Sequence, residues 1–396
     1  MSGLTPGAQS GPNALPAWRL SAYYFFYFAF IGVFSPYFSL YLASIHFSAW
    51  DIGIVMSVMQ VMRMAAPYLW GWLAEHRGST MPIVRIAGVA SLLGFCGFFF
   101  TQAMTGVFVA MALMAFFWSA ALPLVEALTL NYLGPQAGRY GRIRLWGSVG
   151  FIVAVLLTGA LLDFAQPSVV LWMSLAMLVG IMLCALAVPE RRHVMQHTSL
   201  RLRDVLKQTK VRALLVSCFF MASAHGALYV FYSLYLVAHG YSKTAVGILW
   251  TLGVLAEIVV FCVMPRILAK FNLRQILLFC CACAFVRFLV IGWCVEWWWL
   301  IAAAQLLHGA TFGAWHASAV SAVSKFFPHS LHARGQALYG SISFGAGGMV
   351  GGLISGWVWE PYGAAVAYTL SAVCGLLAGL VLWLSYDAMP ATAVSE

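Results

Sequence analysis

Charge is what this chain has least of. Charged residues occupy 8% of 396 positions, where a soluble domain carries roughly 25%. So sparse a set cannot cover a water-facing surface. Catalytic signatures are missing too: there is no His-Glu-x-x-His, no Gly-x-Ser-x-Gly, no carboxylate cluster with metal-ligand spacing and no Walker A loop. Their absence weighs against a membrane enzyme, a metal or other cofactor, and direct use of ATP. The nine cysteines show no zinc or haem spacing; Cys280, Cys281 and Cys283 share one apolar stretch and read as small filling residues. Residues 1–18 hold no charged side chain, so they lack the basic region of a cleavable signal. The first apolar stretch is also long for a signal core and is expected to be an uncleaved first helix.

What is abundant is apolar length. Hydrophobic residues make up 63% of the chain, and a spanning helix needs about 20 of them in a row. Cutting at the polar breaks gives twelve segments: 20–43, 50–73, 82–102, 104–131, 142–163, 168–188, 212–238, 245–268, 274–293, 298–323, 335–358 and 363–386. Barrel strands would be about 10 residues long with alternating polarity, so the expected class is an all-α membrane protein of twelve transmembrane helices. The net charge of +10 does not point to nucleic acid once it is mapped. Of 21 Lys and Arg, eighteen fall on the N-terminal side of the twelve segments. The opposite connections hold Asp51, Asp163, Glu296 and Glu360, with Lys243 as their lone cation. This asymmetry is the positive-inside pattern. It predicts a multi-pass protein of the bacterial inner membrane with both termini cytoplasmic and the lipid bilayer as its surroundings; a functional monomer is a separate expectation.

The chain also repeats itself. Ser-Leu-Tyr-Leu occupies 39–42 and again 233–236; at the same shift of 194, Gly53-Ile54 matches Gly247-Ile248. Leu145-Trp146-Gly147-Ser148 matches Leu338-Tyr339-Gly340-Ser341 at a shift of 193. Two six-helix bundles of the same orientation follow: 1–188, a linker at 189–211, and 212–396. Parallel repeats around a midplane site describe the major facilitator architecture. The basic linker reads as a solvated, topology-setting loop, with an amphipathic surface helix as the alternative. Glycines of the eleventh segment at spacings of four (Gly348, Gly352, Gly356) predict close helix packing on one face.

From Tyr140 to Ser148 the chain reads Tyr-Gly-Arg-Ile-Arg-Leu-Trp-Gly-Ser. With Leu122–Ala127, Ala245–Trp250, Ala256-Glu257, Val286-Arg287 and Gln305–His308, this run resembles the phenylpropionate permease family of the major facilitator superfamily. More distantly it is similar to the lactose permease group of sugar:proton symporters. The resemblance spans both halves. It implies proton-coupled transport of a small organic solute, such as an aromatic carboxylate, by alternating access. A sugar or nucleoside symporter, an exporter and a transporter-like sensor remain alternatives. Gly71–Gly78 is similar to the superfamily's loop between helices 2 and 3, with Glu75 in place of the usual Asp; it gives Gly71, Glu75 and Arg77 a latch role, while Arg77 also reads simply as a topology charge. Arg142 of the Tyr140–Ser148 run is expected to be structural or gating.

An ionisable residue inside a span costs about 2.5–3.5 kcal/mol on insertion scales and is a functional candidate by default. Arg63, Glu126, Glu257 and Arg287 qualify, and Arg144 enters the fifth segment near its start. The resemblance implies that Glu126 and Arg144 hold substrate; a buried ion pair fixing helix register is the competing reading. Glu257 is the expected proton carrier, with Glu126 as second choice. Arg287 is placed to tune it or to bind a substrate carboxylate with its planar fork. Arg63 occupies the position equivalent to Glu257 and is grouped with the structural or gating residues. The resemblance supports His308 for substrate or proton, but one turn beyond it the expected acid is Thr311, so the sugar-type relay does not carry over intact. His225 and His316 read as satisfied interior histidines. Trp146 is a cavity candidate beside the helix 5 motif, and Tyr23, Tyr27, Phe30 and Phe34 read first as packing.

Overall fold

The computed structural model describes residues 15–190, 202–328 and 331–385. The linker arginines Arg191, Arg192 and Arg201 and the stretches 1–14 and 386–396 lie outside them. The described chain is almost wholly helical. In order it builds α1 (Ala17–Ser44), α2 (Ala49–Arg77), α3 (Met81–Cys96), α4 (Met104–Leu133), α5 (Tyr140–Leu162) and α6 (Val169–Ala187). The second half follows as α7 (Thr209–Ala224 and Gly226–Ala238), α8 (Lys243–Lys270), α9 (Leu273–Trp293), α10 (Trp298–Leu306, then Trp315–Phe326), α11 (His332–Gly340, then Gly348–Tyr362) and α12 (Ala364–Leu384). Of the linker, residues 202–208 form one short helix, Leu202–Leu206, and a brief connection.

Local chemistry sets these ends. Ser48 and Asp51 form a capping box at the start of α2, and Asn272 with Gln275 does the same for α9, satisfying first-turn N–H groups. Gly78 ends α2 at φ 60°, a left-handed conformation that glycine adopts without Cβ strain. Three of the topology arginines also close helix ends. Arg19 donates to Ala187 O and Arg85 to Ala185 O and Val188 O at the end of α6, and Arg274 to Leu382 O and Trp383 O at the end of α12. Cations there oppose the negative end of the helix dipole.

Eleven of the spans are helices long and apolar enough to cross a membrane. The twelfth, α10, is interrupted by a π-helical turn at Gly309–Ala314. A second π turn, Ser341–Gly347, lies within α11, and α7 breaks at His225. Uniform hydropathy hides the two π turns, because an i→i+5 turn changes hydrogen bonding and not composition.

Alternating direction puts the connections carrying Asp51, Asp163 and Glu360 on one face, called the acidic face here, and those carrying Arg77, Arg139 and Lys270 on the other. Between the halves the described contacts include α2 against α11 and α5 against α8. A Cβ on Gly53 would stand 3.1 Å from Gly356 Cα, and one on Gly356 would meet Ala49 O at 2.8 Å, so these backbones approach as only glycine allows. Gly348 and Gly352 continue that face toward Gln60 and Ser57. Tyr37 donates to Val155 O (2.9 Å) and Lys243 O (3.3 Å), joining α5 to α8.

Two carboxylates complete this seam at the acidic face. Asp163, at the end of α5, accepts from Lys243 N (2.8 Å), Thr244 N (3.1 Å) and Thr244 Oγ1 (2.6 Å) at the start of α8. Glu360, near the end of α11, accepts from Ala49 N at the start of α2 (2.7 Å). Each half thus caps a helix of the other, satisfying N–H groups that lack intrahelical partners.

Candidate substrate and proton site

Glu126 lies on α4 and Arg144 on α5. Their side chains approach to 3.5 Å (Nε to Oε1) and remain 34% and 29% exposed, open enough for a solute to compete for them. Tyr140 donates to Glu126 Oε1 at 3.1 Å. Arg144 stacks on Phe28, its Cζ 3.8 Å from the ring centroid, with Tyr24 behind at 5.7 Å. The guanidinium is thus held flat by an aromatic face on α1 while its edge serves a carboxylate. Arg144 is also within electrostatic reach of Glu257 and His316 in the other half, so it faces inward and not toward lipid.

The second half supplies a denser cluster. Arg287 is wholly buried on α9. It donates to His308 Nδ1 (3.0 Å), Thr311 Oγ1 (2.9 Å) and Gln305 Oε1 (3.1 Å), all on α10. These acceptors are neutral, and its Nε–H finds none. Arginine has no acceptor, so His308 Nδ1 must carry the lone pair and Nε2 the proton. Nε2 stands 3.9 Å from Glu257 Oε2. On the other branch His225 Nδ1 lies 2.8 Å from Met221 O and must donate to it, and its Nε2 stands 3.4 Å from Thr311 Oγ1. A chain of contacts therefore runs Glu257–His308–Arg287–Thr311–His225, with the His308 imidazole neutral. The π turn of α10 opens one residue after His308.

The structure brings together Glu126 with Arg144, and Glu257 with His308 and Arg287. Trp146 is not part of either group: two residues beyond Arg144 it points about 200° round the helix, and it is 50% exposed. Arg142, Glu75 and Arg77 are exposed, and no ion pair joins them to a helix end among the described residues. Gly71 has open space where a Cβ would sit. His316 bonds Tyr339 Oη at 2.9 Å, and Phe312 stacks between His308 and His316. Tyr23, Tyr27, Phe30 and Phe34 are buried packing residues. Tyr140, Phe28, Gln305 and Thr311 are the contributors that sequence reasoning gave no role; Gln305 sits one turn before His308 and Thr311 nearly one after, and that spacing was the available signal.

A profile of the MFS_1 like family matches residues 17–370. The probable 3-phenylpropionic acid transporter of Escherichia coli (strain K12) is 28% identical over 355 residues, covering 88% of this chain and 93% of that one. The maltose permease of Geobacillus stearothermophilus is 27% identical over 372 residues, covering 91% and 92%. Among solved structures, the nucleoside transporter NupG superposes with a TM-score of 0.81 at 16% identity, covering 94% of this chain and 99% of that one. A bacterial homolog of the human lysosomal transporter Spinster gives 0.70 at 14%, covering 98% and 100%. These two support the fold alone.

Proposed function

Given that this chain belongs to the MFS_1 like family, and is thus a secondary transporter and not an enzyme, we propose that it carries a small aromatic carboxylate together with a proton across the bacterial inner membrane, into the cell. The acidic face is the outer one, both termini are cytoplasmic, and the monomer, with its halves 1–188 and 212–396 joined by 189–211, is the working unit. Glu257 takes and releases the proton, with Glu126 as the second carboxylate able to do so. Glu126 and Arg144 hold the solute from one half; His308 and Arg287 act from the other. The observation that carries this reading is the Glu257–His308–Arg287 chain. Arg287 is a buried cation whose direct partners are all neutral, and the nearest carboxylate in that chain is Glu257, one imidazole away. A proton added to Glu257 removes that compensation, so protonation and a bound carboxylate favour one another. The name of the 3-phenylpropionic acid relative supports the substrate class.

The test is uptake into proteoliposomes under an imposed pH gradient, with 3-phenylpropionate, maltose and a nucleoside as solutes. Accumulation of the acid above equilibrium, abolished when the gradient is collapsed, is expected. Glu257→Gln is expected to lose accumulation at least tenfold while keeping solute exchange; full accumulation by that variant would remove Glu257 from coupling. A sugar is the second reading. The half-exposed Glu126–Arg144 pair favours it, since a carboxylate and a guanidinium also hydrogen-bond sugar hydroxyls, and the maltose permease is a relative of similar identity.

A further inference from the structure

Of the three arginines that are functional candidates inside the spans, two are committed. Arg144 has Glu126 and the Phe28 face. Arg287 is enclosed by three acceptors and sealed from solvent. Arg63 is different. It is half-buried on α2 and pairs with no carboxylate among the described residues. Its sole hydrogen bond there is a long one to Gln60 Oε1, 3.5 Å and one turn away. Its guanidinium lies over Trp118, 5.5 Å from the ring centroid, which orients a cation without neutralising it.

Its position is as informative as its lack of a partner. Arg63 stands midway along α2, about 21 Å from either end at 1.5 Å per residue, the depth at which such carriers bind their solutes. It is near enough to Tyr229 of the other half to act on it electrostatically, and Tyr229 also feels Glu257 and Arg287. Arg63 therefore borders the space between the halves, opposite the proton group. A cation held at that depth, partly open and without a counter-charge among the described residues, ties no helix to another.

We propose that Arg63 binds the anionic head of the transported solute, a carboxylate, as the counter-ion that the protein itself does not supply. This deepens the carboxylate reading above and rests on it. It shifts the principal anion contact from Arg287, which is walled off, to the one midspan arginine that is uncommitted among the described residues.

The test is equilibrium binding by calorimetry to the full chain in nanodiscs at pH 7, with 3-phenylpropionate and its uncharged amide as matched probes. Wild type is expected to prefer the acid by tenfold or more. Arg63→Gln should lose that preference, its acid affinity falling at least tenfold and its amide affinity staying within twofold. Arg63→Lys, which keeps charge without the fork, should fall between them. If wild type prefers the acid and Arg63→Gln keeps that preference, the Arg63 assignment is overturned and the carboxylate reading stands. Should wild type bind maltose or nucleosides and neither probe, both are overturned. If Arg63→Gln does not fold, Arg63→Lys decides: a three- to tenfold loss confined to the acid supports the assignment, and unchanged acid affinity overturns it.

Discussion

The two carboxylate caps at the acidic face give the most quantitative prediction. Asp163→Ala removes three hydrogen bonds across the α5–α8 seam, and Glu360→Ala removes one across the α2–α11 seam. A bond to a charged group is worth about 1.5–3 kcal/mol where water cannot replace it. Asp163 sits at a partly exposed helix end, where water takes over much of the loss. Adding a helix-end charge contribution of about 0.3–1 kcal/mol, the expected net effect is about 2 kcal/mol for Asp163 and about 1 kcal/mol for Glu360. Those values shift the closed-to-open equilibrium of this face about 30-fold and about fivefold. The sites lie on different seams, so the double variant should approach the product. The assay is a spin–spin distance between nitroxides on p-acetylphenylalanine at Phe164 and Trp297. Both are surface positions on this face, 94% and 58% exposed, and the label leaves the nine cysteines untouched. A longer-distance population should grow in the order Glu360→Ala, Asp163→Ala, double. Distributions identical to wild type in all three would refute the reasoning. The sign of the pH effect follows from the same bonds. Burial pushes the Asp163 carboxyl up, but the Thr244 hydroxyl, the Lys243 and Thr244 N–H groups and the Lys243 charge outweigh it and hold the carboxyl below its ordinary value of 3.8. Its contribution to closure is therefore complete above the value of the parted state, near 4, and is lost as pH falls through the lower, capped value. The increment in distance produced by Asp163→Ala should therefore be the same at pH 5–6 as at pH 7.

Other outcomes follow from the same contacts. Arg144→Lys should weaken solute binding about tenfold, because an ammonium cannot both cover Phe28 as a planar cation and reach Glu126 from its edge; unaltered affinity in the calorimeter would sink its binding role. His308→Ala strips one acceptor from wholly buried Arg287 and should destabilise the fold by about 2–4 kcal/mol, seen as a lower midpoint in thermal unfolding, with His308→Asn recovering part of it. Gly356→Val places a branched side chain where Ala49 O lies 2.8 Å from a single Cβ; it should open the acidic face in the distance assay while the basic side stays intact.

The class of fold was legible because its cause is global: uninterrupted apolar length and the side on which arginines gather are both properties of the whole chain. The span limits fell within a few residues, as at α5, expected at 142–163 and found at Tyr140–Leu162. The π turns were not legible, since Gly309–Ala314 is as apolar as its flanks. Pairing was legible where intramembrane charge made it obligatory, as for Glu126 with Arg144. The partners of Arg287 were harder to see because they are neutral; Gln305 and Thr311 cost too little in a span to draw attention. The cross-half bonds of Asp163 and Glu360 come from backbone N–H groups and one threonine hydroxyl, Thr244, and backbone donors carry no sequence signature. Trp146 shows the converse error, in which proximity along the chain to Arg144 suggested a shared site that helical rotation prevents.

The symmetric placement of Arg63 and Glu257 has an electrical corollary. Both stand 14 residues beyond the first residue of equivalent helices, Ala49 and Lys243, which start at the same face. The two charges are opposite and at one depth, so their dipole lies in the plane of the membrane, at right angles to the transmembrane field. Such a field does about 2.3 kcal/mol of work per elementary charge per 100 mV only on charge displaced along the normal. Charges at the pivot of a rocking motion are displaced least. This pair would therefore contribute little to the voltage dependence of a rocking reorientation.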